Sequence, residues 1–140
     1  MKKTVAIWAA IIVCAVMLAG AIYLIVPKSD VMDEQEFTAL YSGSFYGVLP
    51  CADCAGIETF LYIFPDHTFQ KSEIYMGEDM DPVDNMGAWA ARKNFSHIEL
   101  KSADGNSEFW RTEESGGLKK LDMSAKEINS NLNYTLKRQP

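Results

Sequence analysis

The sequence predicts an all-β fold, a small antiparallel barrel of about six to eight strands, preceded by one N-terminal transmembrane helix. Three observations carry this reading. Short runs rich in β-branched and aromatic residues recur at roughly ten-residue spacing after residue 42. Turn chemistry, including Asp-Gly and Gly-Gly pairs, separates them. No amphipathic helical pattern follows residue 41, and no internal repeat of about 20–50 residues is present. A two-layer sandwich would fit the same strands, but a barrel leaves no exposed sheet edge and is preferred.

The strands are expected in this order. "GSFYGVL" (43–49) comes first, and "IETFLYIF" (57–64) is the strongest signal. "PDHT" turns the chain into "TFQKSEIY" (68–75), and an acidic loop runs on to Asn85. "GAWAAR" (87–92), "HIELKS" (97–102), "EFWRTEE" (108–114), "LKKLDM" (118–123) and "NLNYTLKR" (131–138) complete the set. Period-two alternation sets Ile98 and Leu100 opposite His97 and Glu99, and Trp110 opposite Phe109. Core packing is the commoner role for a tryptophan so placed.

Ahead of the strands, residues 5–26, "VAIWAAIIVCAVMLAGAIYLIV", carry no charge. As a helix they would extend about 33 Å, enough to cross a hydrocarbon core of about 30 Å. Lys2 and Lys3 precede the run and Asp30, Asp33, Glu34 and Glu36 follow it, which keeps the N-terminus cytoplasmic and sends the rest outside. Ala19 and Ala21 offer a cleavage site, but cutting there leaves "IYLIV" as an apolar new end. Cys14 follows Val13 in mid-run and lacks the small residue that lipoprotein processing requires. An uncleaved anchor is therefore preferred. The chain divides into an anchor or signal-like segment (1–27), a polar tether that forms at most a short helical turn (28–41) and a barrel domain (42–138).

Beyond the anchor, 11 basic residues face all 19 acidic ones, a formal charge of −8. That surface repels phosphate, and no basic stripe with interleaved aromatics offsets it, so nucleic acid is excluded as a partner. No G-x-S-x-G elbow or phosphate-cradling glycine loop marks an enzyme.

Chemistry concentrates in "VLPCADCAGIET" (48–59), where Cys51 and Cys54 sit three apart. A disulfide across so short a loop is worth only about 2 kcal/mol and would organise little beyond its own turn. A thioredoxin-like centre needs a helix N-terminus after the second cysteine, whereas here a glycine and a strand follow. Two thiolates also suit a soft, low-coordinate ion such as Cu(I), while zinc would want two further ligands. Disulfide, metal clamp and redox pair all remain open on composition alone.

The stretch "YSGSFYGVLPCADCAGIETFLYIFPDHTF" resembles the N-terminal domain of the NlpE copper-resistance and envelope-stress proteins, which carry a P-C-A-D-C-x-G-I-x-T run before a long strand. The likeness continues through "YMG", "GAWAARKNFSHIEL", "LKKLDM" and "NSNLNYTLKR", and so covers residues 41–138. It implies a lipocalin-like barrel in a Gram-negative envelope, a part in copper tolerance, and stress signalling through an inner-membrane sensor kinase or another envelope protein. The family's C-x-x-C falls on Cys51 and Cys54. Its usual lipoprotein cysteine has no counterpart here, so lipidation is not carried over. Full-length members have a second, OB-like domain, to which nothing in the 140 residues corresponds. The apolar segment and the resemblance together imply an inner-membrane anchored protein with its barrel in the periplasm, or a periplasmic one after cleavage near Ala21.

Met76, Met80 and Met86 lie among Glu78, Asp79, Asp81 and Asp84, and their thioethers are additional candidate Cu(I) ligands. The plainer reading is a solvated loop whose methionines touch the barrel rim. His67 in a turn and His97 at a strand start are expected to be exposed and not ligands. The functional expectation is a non-enzymatic envelope protein that senses stress or copper through Cys51 and Cys54. The alternative is a lipocalin-like carrier of an acyl chain or lipoprotein segment, with the cysteines as a local staple.

Overall fold

A computed structural model describes residues 32–77, 79–92 and 95–140. The expected membrane helix at 5–26, the cleavage site near Ala21 and Glu78 lie outside the described residues. Among the described residues no helix is long and apolar enough to cross a membrane.

Helix α1 (Glu34–Tyr41) leads into strands β1 (Gly43–Leu49), β2 (Ile57–Ile63), β3 (Thr68–Tyr75), β4 (Val83–Arg92), β5 (His97–Ser102), β6 (Ser107–Thr112), β7 (Leu118–Lys120) and β8 (Thr135–Arg138). Each strand pairs antiparallel with the next, and β8 returns to β1, so the sheet closes into an up-and-down barrel. Alternation decides what points inward. On β2, Thr59, Leu61 and Ile63 are buried, and on β5 the same holds for Ile98, Leu100 and Ser102. Side chains fill the axis: Phe45, Leu61, Phe69, Ile98, Leu100, Trp110, Leu118 and Leu136 are all essentially inaccessible to solvent. Gly87 belongs to this closure, since a Cβ there would lie 2.1 Å from the Lys101 carbonyl oxygen of β5.

The barrel has two unlike poles. Asp33 caps α1 by accepting a hydrogen bond from the Glu36 amide at 2.7 Å. Phe37 and Tyr41, one helical turn apart, are then buried against the barrel. Phe37 packs against Tyr41, Trp89 and Phe95 at ring-centroid distances of 4.8, 6.4 and 5.4 Å. The second half of the stretch expected to be a polar tether therefore folds as part of the compact unit that begins at Met32. At the same pole the Arg138 guanidinium donates to the carbonyls of Leu40 and Ser42, and the Gln139 amide donates to the Ser44 carbonyl. The opposite pole carries the β1–β2, β3–β4, β5–β6 and β7–β8 connections.

Several strand ends differ from expectation. β4 starts at Val83, four residues early, because Gln70 to Glu73 of β3 need ladder partners and find them in Val83 to Met86. β6 stops at Thr112, where Glu113 turns the chain by donating its amide to the Gly117 carbonyl. β7 and β8 are shorter than their sequence runs. Between them Asp122 accepts hydrogen bonds from the Ser124 and Lys126 amides, and an isolated bridge joins Leu121 to Glu127.

The disulfide loop as candidate functional site

β1 ends at Leu49 and β2 begins at Ile57, and the seven residues between them form the loop that carries both cysteines. Cys51 and Cys54 are joined in a disulfide with their Cα atoms 5.3 Å apart, inside the ordinary range for such bridges. Ala52, Asp53 and Ala55 are exposed, and the two cysteines are partly so. The Cys54 sulfur lies 3.3 Å from the Gly56 carbonyl oxygen.

Gly56 is where the loop meets the barrel. It is buried and adopts φ = 151°, and a Cβ there would lie 2.6 Å from Val48 Cγ1 and 3.5 Å from the Met76 sulfur. The Met76 amide donates to the Gly56 carbonyl at 2.9 Å, and the Ala55 amide donates to the Met76 carbonyl at 3.2 Å. The β2–β3 ladder therefore runs past both strand ends and into the cysteine loop. Two backbone hydrogen bonds thus join the cysteine loop to the start of the β3–β4 connection.

The predicted site residues are only partly brought together. Met76 lies beside the loop. Met80 stands exposed in the β3–β4 connection, and Met86 projects from the outer wall of β4, paired with Gln70. His67, at φ = 63° in the β2–β3 turn, belongs to the helical pole: its ring stacks on Trp89 at 4.7 Å and its Nε2 is 4.0 Å from Glu34. His97 begins β5, with Nδ1 2.7 Å from Ser96 Oγ. Among the described residues no three His, Cys, Asp or Glu side chains gather as a metal site would need. Of the three candidate thioethers, Met76 is the one whose sulfur borders the cysteine loop, at Gly56. While the two cysteine sulfurs are bonded to each other they are not thiolates, so metal capture would require prior reduction. No helix follows Cys54 to stabilise a thiolate.

The bridge itself should matter little to stability. Reduction of the disulfide is expected to cost no more than about 2 kcal/mol, because it closes so short a loop. Thermal melts with and without a dithiol reductant check this, and a collapse of the fold on reduction would contradict it.

Sequence reasoning missed a charged layer inside the barrel. Lys71, 3% exposed, pairs with Glu73 at 3.1 Å and with Glu108 at closer range. Lys120 lies 3.5 Å from Glu108 and 5.5 Å from the centroid of the Trp110 ring. The signal was present in "TFQKSEIY", where alternation places Lys71 and Glu73 on the face of Phe69. Burial alone would depress the Lys71 ammonium, but Glu108 and Glu73 outweigh it and raise its pKa. For Glu108 burial works upward, and Lys120 and Lys71 overcome it to hold the carboxyl below its ordinary range.

The NlpE N-terminal domain profile matches residues 45–131. The chain belongs to the NlpE family. It is 37% identical over 95 residues to lipoprotein NlpE of Escherichia coli strain K12, which covers 66% of this chain and 39% of that protein. It is 36% identical over 63 residues to a 17 kDa lipoprotein of Treponema pallidum strain Nichols, covering 44% of this chain and 40% of that one. The crystal structure of a Shewanella oneidensis protein assigned as a lipoprotein superposes with a TM-score of 0.63 at 32% identity, over 76% of this chain and 96% of that one. The crystal structure of E. coli NlpE, described as the Cpx pathway activator, matches with a TM-score of 0.56 at 34% identity, over 70% and 51% of the two chains. The NlpE-like region thus spans about two-fifths of the length of the curated relatives it matches.

Proposed function

We propose that this chain is a non-enzymatic sensing module of the bacterial envelope, anchored in the inner membrane by residues 5–26 with its barrel domain in the periplasm. The Cys51–Cys54 pair is its responsive element in copper tolerance and envelope stress. One observation carries the reading: a partly exposed disulfide whose loop is hydrogen-bonded, through Gly56 and Ala55, to Met76 of the neighbouring connection. A dithiol donor that supplies two electrons and two protons would open the bridge. The two sulfurs, with the Met76 thioether against Gly56 of the same loop, would then offer Cu(I) a soft donor set. Either event alters the surface formed by the loop and Met76, and that surface is what a signalling partner would read. The E. coli relative is described as a Cpx pathway activator, which supports an inner-membrane sensor kinase or another envelope protein as the partner.

A carrier of acyl chains or lipoprotein segments would need an open apolar interior. The filled axis, with Trp110, Phe45 and Phe69 wholly buried, favours sensing instead.

Thiol trapping of the membrane-bound protein, with and without copper, tests this reading directly. The expected result is a disulfide in untreated cells, with sulfur protected from alkylation when the reduced protein meets Cu(I). In a chelator competition, Cys51→Ser/Cys54→Ser should bind Cu(I) at least about tenfold more weakly than the reduced wild type. Equal affinity would sink the copper reading, and a bridge that never opens in cells would sink the redox one.

A further inference from the structure

The outer wall of β1–β4 carries a second arrangement, outside the disulfide loop. Register places Ser44, Tyr62, Gln70 and Met86 in one row across the four strands, and Tyr46, Phe60, Ser72 and Asp84 in the next. Tyr62 is 43% exposed and forms a ridge between two shallow concavities. One, of about 300 Å³, is lined by Ser44, Tyr46, Phe60 and Gln139 as well as Tyr62. The other, of about 230 Å³, is lined by Gln70, Lys71, Ser72, Asp84, Asn85 and Met86 on the far side of the same ring. The floor of the first is fixed: Tyr46 packs on Phe60 at 4.8 Å and donates its hydroxyl to Glu58 at 2.9 Å. By contrast, the side chains of Tyr62, Gln70, Ser72 and Asp84 make no hydrogen bond or ion pair among the described residues.

We propose that this wall binds a short neutral oligosaccharide, with the Tyr62 ring as stacking platform and Gln70, Ser72 and Asp84 as hydroxyl-binding groups. An aromatic face is negative and attracts the polarised C–H bonds on the apolar side of a pyranose ring. A carboxylate, an amide and a hydroxyl together supply the acceptors and donors that vicinal sugar hydroxyls require. Two concavities that share one ring suit a ligand of repeating rings. The strands exclude another occupant: β2 and β3 are paired along both edges, so no free backbone row is available to an added peptide strand. Lys71 of the second concavity turns its ammonium inward to Glu73 and Glu108, so the exposed charge there is the Asp84 carboxylate, which disfavours phosphate or uronate groups and favours neutral sugars.

Titration of chitotriose, cellotriose and maltotriose into the isotopically labelled full-length chain in micelles, followed by amide NMR, tests the assignment. At least one should give saturable shifts confined to the β1–β4 wall. Tyr62→Ala should weaken that binding by about tenfold or more, while Tyr62→Phe stays within about twofold. Asp84→Ala, at an exposed position whose side chain has no partner among the described residues, should weaken it several-fold and leave the spectrum otherwise native. Absence of saturable shifts with all three sugars overturns the proposal. So does binding that both Tyr62→Ala and Asp84→Ala leave unchanged.

Discussion

Phe37→Ala is expected to destabilise the folded unit by about 3–5 kcal/mol, the usual cost of emptying a buried phenylalanine site. For a domain of this size that lowers the melting temperature by more than about 10 °C. Phe37 is wholly buried and holds together the rings of Tyr41, Trp89 and Phe95, so its removal opens the helical pole. Leu40→Ala is the control: Leu40 lies on the same helix but is exposed, and should shift stability by no more than about 0.5 kcal/mol. Calorimetry on both variants distinguishes a structural plug from a passive tether. If the two variants melt alike, α1 does not seal the barrel.

Glu108→Ala should cost about 3 kcal/mol, because it leaves Lys71 buried with Glu73 as its remaining partner and removes the carboxylate that pairs with Lys120. The pH dependence has a definite sign. Glu108 is held below its ordinary value of 4.5, so its contribution is complete above that value and is lost as pH falls through the lower folded-state value. Lys71 is held above 10.5, so its contribution is complete below 10.5 and is lost as pH rises through the higher folded-state value. Denaturant melts across pH should therefore show a plateau between these limits. Glu108→Gln should flatten its acid flank and leave neutral pH the region of greatest difference from wild type. An acid limb identical in wild type and Glu108→Gln would rule out this carboxylate as a source of the pH dependence.

Much of the barrel could be read from period-two patterning, because burial on one face writes itself into alternate residues. β1, β3 and β5 have the ends expected for them. Where the pattern and the ladder part company, the ladder decides. Val83 to Met86 read as an acidic loop, yet they pair with β3 because that strand's backbone needs partners. Residues 121–134 failed in the opposite direction: "LDM" and "NLNY" look like strand, but Asp122 captures local amides and the chain turns away. Helix α1 left a trace in Asp33, Glu36, Phe37 and Tyr41, a cap followed by two aromatics four apart, although eight residues are too few for periodicity to speak clearly. The cysteine pair was visible at once, whereas its bonded state was not, since spacing alone suits a bridge or a metal equally well. The contact of Met76 with Gly56 depends on how far the β2–β3 ladder runs, which no local pattern encodes.

The clasp of Arg138 on Leu40 and Ser42 fastens the last strand beside the C-terminal end of the first helix, so the end of the 32–140 unit lies a short helix away from its beginning. A fluorescent label or fused reporter joined after Pro140 would emerge there, leaving the cysteine pole unobstructed. The same proximity makes the barrel a natural subject for circular permutation, reconnected from Pro140 to Met32 and reopened in the long β7–β8 connection, with every strand keeping its neighbours.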